Sequence, residues 1–150
     1  MIRRPHMNKS TTQKLEEMLL DIDNERSLEK YLKQVPADHP MMTFAEYFQR
    51  YLVLHEKDKG ELCESSGIER SYFYHILSGS KRPGRDKILR MCIAAGMNGD
   101  ETDEALKCGN EASLYAKNMH DAIVLFALNN HLSVTDTNEL LDTYHLTILG

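Results

Sequence analysis

No apolar run in this chain approaches the roughly 18 to 20 residues that would span a bilayer, and no hydrophobic stretch follows the basic start as a signal peptide would require. The expectation is a cytoplasmic protein with no membrane partner. Cysteine is scarce: Cys63, Cys92 and Cys108 are an odd number, widely spaced, and none belongs to a CxxC or Cys/His cluster. They read as small buried hydrophobes in a reducing compartment. His6, His39, His55, His75, His120, His131 and His145 are scattered, and no pair has the HExxH spacing of a zinc helix. No metal site and no cofactor are expected. Nucleophile, phosphate loop and paired carboxylates are lacking too, so the chain is not read as an enzyme and no residue is assigned as catalytic. Neither a long internal repeat nor a low-complexity segment is evident.

What is present is helical. With 150 residues, 41% hydrophobic and 27% charged, the chain fits one globular unit or two small ones. Met7 is a natural-looking start, so residues 1 to 6 read as vector-derived or upstream and 1 to 9 as a flexible N-terminus. "STTQKLEEMLLDI" sets Leu15, Met18, Leu19 and Ile22 on one face behind a Ser10/Gln13 capping box. "SLEKYLKQV" repeats the pattern with Leu28, Tyr31, Leu32 and Val35. Pro36 and Pro40 then disfavour helix, which bounds a hairpin over 10–40.

"TFAEYFQRYLVLHE" opens on Thr43 and Glu46 in capping-box register, with Phe44, Phe48, Tyr51, Leu52 and His55 in a stripe. Short helices are expected at about 58–66, closed by Gly67, and 69–78, closed by Gly79. "RDKILRMCIAAG" follows the "KRPG" turn and stops at Gly96. Further helices are expected near 100–108, 119–130 and 134–144. Asn118 with Asp121 and Ser133 with Asp136 sit at cap spacing for the last two. "AIVLFAL" at 122–128 requires burial nearly all round or a partner subunit on one side. The sum is an all-α protein of about nine helices.

The formal net charge of −5 conceals a polarity. Segment 1–56 balances at −1, 57–97 at +3 and 98–150 at −7. Within 70–90, Arg70, Lys81, Arg82, Arg85, Lys87 and Arg90 face Asp86 alone. A positive face on a middle segment, in an otherwise acidic chain, suits an anionic partner with little nonspecific sticking.

The order of elements over 43–97, together with "ELCESSGIERSYFYHILSGSKRP", resembles the lambda-repressor-like, or Xre-type, helix-turn-helix family. Leu62 and Cys63 stand where the first helix of the pair carries Leu-Ala. Gly67 is at the tight turn, Ile68 is the buried residue after it, and Phe73 and Ile76 are the anchors of the second helix. Gly79 and the basic "KRP" at 81–83 complete the pattern over about 55 residues.

The resemblance implies a helix-turn-helix bundle over 41–97, carrying extra N-terminal helices and a C-terminal extension over 98–150. It also implies a sequence-specific regulator of transcription, of the repressor kind, that binds double-stranded DNA. In this class the second helix lies in the major groove. Arg70, Ser71, Tyr74 and His75 would then face outward with Tyr72 at the flank, and Arg70 suits a bidentate contact to guanine. Lys59 falls where the family often has a glutamine on the DNA backbone. Ser78, Ser80, Lys81, Arg82 and Arg85 would meet phosphates. Residues from 98 onward are similar to the C-terminal part of Xre-type regulators that lack a recognisable ligand domain. A homodimer formed through this segment is expected. The rival reading is an adaptor or antitoxin-like protein that keeps the fold and holds a protein partner with its acidic C-terminal half.

Overall fold

The structure is a computed structural model that describes residues 11–20, 23–34 and 42–150. The protein is all-α: among the described residues there are nine helices and no strand. The chain divides into two compact units, Met1–Pro40 and Met41–Gly150.

The first unit holds α1 (Thr11–Leu20) and α2 (Glu25–Gln34). Asn24 caps α2, its Oδ1 accepting from the Ser27 amide at 2.8 Å. Leu19 and Leu28, expected on apolar faces, are exposed. The rest of those faces (Leu15, Met18, Ile22, Tyr31, Leu32 and Val35), the Ser10 cap and the proline boundary at 36–40 lie outside the described residues and side chains.

The second unit holds α3 (Phe44–Leu54), α4 (Lys59–Ser66), α5 (Arg70–Ser78), α6 (Arg85–Ala95), α7 (Gly99–Cys108), α8 (Met119–Asn129) and α9 (Val134–Thr143). One core runs from Phe44 to Leu149, with Phe48, Phe73, Ile76, Ile88, Leu89, Met91, Leu106, Val124 and Leu141 fully enclosed. α3 packs on α5 and α7, and α4 on α5 and α6.

The expected capping box at Thr43 and Glu46 forms in both directions, at 3.0 and 3.1 Å. His55 departs from the buried stripe of α3. It is exposed at the helix end, stacks on Tyr51 at 4.1 Å and lies 3.9 Å from the Glu101 carboxylate. The Tyr47 hydroxyl, from the same helix, donates to the Glu101 carbonyl at 3.1 Å, and burial pushes its pKa up to about 12. Cys63 and Cys92 are buried, and Cys108 is half-buried.

Residues 85–114 and 120–149 are two copies of one helix-helix-tail motif, which corrects the reading that the chain has no long repeat. α6 and α8 have eleven residues each, α7 and α9 ten. Local devices recur at a constant spacing of 35 positions. Asn98 and Ser133 cap the second helices. Thr102 Oγ1 donates to the Asn98 carbonyl at 2.8 Å, and Thr137 Oγ1 to that of Ser133 at 2.7 Å. Asn110 and His145 take φ of 59° and 58°. The Leu114 amide donates to Asp103 Oδ1 at 2.9 Å, and the Leu149 amide to Asn138 Oδ1 at 2.8 Å.

The two copies also exchange their tails. The Tyr115 amide donates to Asp121 of the second copy, and the Gly150 amide to Asp86 of the first, both at 2.9 Å. α6 packs on α7 and α9, as α8 packs on α9 and α7. That is the contact pattern of a pseudo-two-fold pair. Only six of thirty aligned positions are identical: Asp86/Asp121, Ile88/Ile123, Thr102/Thr137, Glu104/Glu139, Leu106/Leu141 and Leu114/Leu149. All six hold a cap, a core position or a clamp site except the exposed Glu104/Glu139 pair, so the repeat is carried by devices more than by identity.

Candidate nucleic-acid interface

The turn between α4 and α5 is built around Gly67, whose φ of 68° is left-handed. Ser66, fully buried, spans it: its Oγ donates to the Cys63 carbonyl at 2.7 Å and accepts from the Ile68 amide at 3.1 Å. Arg90 on α6 reaches the same turn. Its Nε donates to the Ser66 carbonyl at 3.0 Å and its Nη1 to the Leu149 carbonyl at 2.6 Å. A Cβ on Gly67 would lie 2.6 Å from Arg90 Nη2, so any side chain there would also have to push the end of that guanidinium aside. At the far end, Gly79 adopts φ 86° and its amide closes the helix on the His75 and Ile76 carbonyls. Gln49 on α3 donates to the Leu77 carbonyl and ties that end to the core.

So fixed, α5 buries Phe73, Ile76 and Leu77 and turns Arg70, Ser71, Tyr74 and His75 to solvent, with Tyr72 half-buried at the flank. These are the expected inner and outer faces. Glu69 caps the helix: its carboxylate accepts from the amides of Ser71 at 3.0 Å and Tyr72 at 2.9 Å. Those backbone bonds, Tyr72 first, hold its pKa below the usual carboxylate range. Its negative charge is thereby directed at the helix N-terminus. The Arg70 guanidinium sits 5.5 Å from the centroid of the Tyr74 ring one turn on, a cation–π contact that restricts where it can point.

Lys59, Ser78, Ser80, Lys81 and Arg82 are exposed. Ser78 and Ser80 have local partners: Ser78 Oγ donates to the His75 carbonyl at 3.0 Å, and Ser80 Oγ lies 2.9 Å from His75 Nδ1. Arg85 leaves the set. Its guanidinium makes a bidentate pair with Asp121 at 3.0 and 3.1 Å and donates to the carbonyls of Ala112 and Ser113 at 3.1 and 3.3 Å. The first turn of α6 faces the N-terminus of α8, where Asp121 is 7% exposed, so the arginine neutralises a buried carboxylate and does not reach outward. Arg90, counted among the surface bases, is likewise held inside.

Sequence reasoning missed Gln49, Arg90 and the Arg85–Asp121 pair. No local signal marks the pair, whose members stand 36 positions apart in the sequence. His120 lies 3.7 Å from the same carboxylate and donates to the Thr147 carbonyl at 3.0 Å, as Arg85 does to Ala112. Among the described residues no three His, Cys, Asp or Glu side chains are gathered to hold a metal ion, and no helix is long and apolar enough to cross a membrane. No family model, curated protein or solved structure matches the chain.

Proposed function

We propose that the protein is a sequence-specific, double-stranded-DNA-binding regulator of transcription, of the helix-turn-helix, Xre-like kind, that reads the major groove with α5. The observation that carries this reading is the division of one short helix. Its inner side is anchored by Phe73, Ile76 and Leu77, and its outer side offers Arg70, Ser71, Tyr74 and His75 with no acidic side chain between Arg70 and Ser78. Lys81 and Arg82 extend the positive charge past its end. A helix exposed along one face, pinned at both ends and flanked by bases can enter a groove some 12 Å wide while neighbouring cations meet phosphates.

In this reading Arg70 contacts a guanine edge, and Tyr74 limits its swing. Ser71 and His75 make adaptable hydrogen bonds, and Lys59, Ser78, Ser80, Lys81 and Arg82 line the backbone. Arg85 holds α6 against α8 and contributes no contact. The test is selection of bound duplexes from a random pool with the full chain, followed by titration of the enriched site at several salt concentrations. A discrete motif with salt-sensitive affinity is expected. A chain that retains no sequence above background overturns the reading.

A further inference from the structure

The exposed His75 ring, on the outer face of α5, belongs to a set of hydrogen bonds that limits what it can offer a ligand. Three main-chain amides converge on the His75 carbonyl: that of Gly79, which closes the helix, that of Ser80 at 3.0 Å and that of Lys81 at 3.2 Å. The Ser78 hydroxyl donates to the same oxygen at 3.0 Å. A carbonyl oxygen has only two lone pairs, so these donors already oversubscribe it. Ser80 Oγ lies 3.2 Å from that carbonyl and 2.9 Å from the ring nitrogen Nδ1. Its single hydrogen therefore has one good acceptor left, the ring.

Counting hydrogens then fixes the imidazole. When Ser80 Oγ donates to Nδ1, the neutral ring must carry its own hydrogen on Nε2. In the protonated ring both nitrogens carry hydrogen, and Nδ1 donates to Ser80 Oγ instead. Nε2 is a donor in either charge state. Arg70, at the other end of the same exposed face, and Lys81, past the helix end, have donors and no acceptor. The face that α5 turns outward is thus one-sided: at these three positions it gives hydrogen bonds and accepts none.

We propose that Ser80 holds His75 as a fixed donor at Nε2, so that α5 reads, beneath His75, a base with an acceptor on its major-groove edge and rejects cytosine. The proposal rests on the reading of α5 as a groove helix. It narrows the adaptable bond of His75 to one sense and gives Ser80, placed along the DNA backbone, a positioning task toward the base. Guanine offers N7 and O6, thymine O4 and adenine N7, whereas cytosine presents only its N4 amino group, donor against donor. Two measurements on the full chain test this. Long-range proton–nitrogen correlation spectra of the free protein read the ring directly. Neutral His75 should carry hydrogen on Nε2 and none on Nδ1, Ser80→Ala should show both forms, and Ser80→Thr, which keeps the hydroxyl, should match the wild type. In selection from a random duplex pool, His75→Ala marks the base position that depends on the ring. Cytosine there should be disfavoured about tenfold by the wild type and by Ser80→Thr, and no longer by Ser80→Ala. A wild-type ring with its hydrogen on Nδ1 overturns the proposal without any DNA. So does a Ser80→Ala protein that still rejects cytosine and loses affinity equally on all sequences, which leaves Ser80 a phosphate contact alone. A pool that yields no motif fails the DNA-binding reading and removes the base assignment with it, whatever the ring spectra show.

Discussion

Replacing Arg85 by alanine should destabilise the second unit strongly, whereas Arg82→Ala, three residues away, should not. The difference follows from where each guanidinium ends. Arg85 donates two hydrogen bonds to Asp121 and two to the carbonyls of Ala112 and Ser113. Removing one partner of a buried pair costs about 3–5 kcal/mol, because the remaining charge is left in a poor solvent. The Arg85 side chain is 25% exposed, so water can enter the vacated space and partly solvate Asp121, which lowers the expectation to about 2–4 kcal/mol. With a urea m value of about 2 kcal/mol/M for a small unit, the midpoint should fall by about 1–2 M. Arg82, exposed and outside any ion pair among the described residues, should shift stability by less than about 0.5 kcal/mol. Urea titrations followed by far-UV circular dichroism measure both. If the two variants shift the midpoint equally, the claim that Arg85 serves the core is refuted and its assignment to phosphates returns.

Three further outcomes are expected. Burial raises the Asp121 carboxyl, but the Arg85 hydrogen bond, the Tyr115 amide and the Arg85 charge outweigh it and hold it below its ordinary value; its stabilisation is therefore full above about pH 4 and lost as pH falls through the lowered folded value. Urea midpoints for wild type and Asp121→Asn should accordingly keep their gap from neutral pH down to about pH 4 and converge only as the pH is lowered further, and a gap of constant size into strong acid contradicts this. Phe73→Ala, truncating a fully enclosed ring, should cost about 3–5 kcal/mol in the same titration. Arg82→Ala should leave the fold intact, weaken binding to all duplexes alike and reduce the slope of log affinity against log salt by about one unit, measured by fluorescence anisotropy.

How far the chain announced all this depends on the range of the signal. Thr43, Asn118 and Ser133 declared their helices because a cap works within four residues. Gly67 and Gly79 marked the C-terminal ends of α4 and α5 for the same reason, and Phe73 and Ile76 named the inner face of α5 through helical spacing. Charge counting was weaker. Six bases between 70 and 90 read as one positive surface, yet Arg85 and Arg90 are drawn inward by groups more than twenty positions away, Asp121 in one case and the Ser66 and Leu149 carbonyls in the other. Nothing local distinguishes an arginine bound for solvent from one bound for a distant carbonyl. The repeat was hidden differently: its shared positions are caps, clamps and core sites, and the devices tolerate exchanges such as Asn98 for Ser133 or Asp103 for Asn138.

The most direct test of the central claim is a comparison of wild type and Arg70→Ala in binding selection from a random duplex pool, with affinities measured on the enriched site. The account predicts that the variant stays folded, loses about 1–3 kcal/mol on that site and relaxes discrimination at one base position while keeping the rest of the motif. An Arg70→Ala protein that matches the wild type in both affinity and base preference would contradict it, and α5 would then have to be read as a surface for a partner other than DNA.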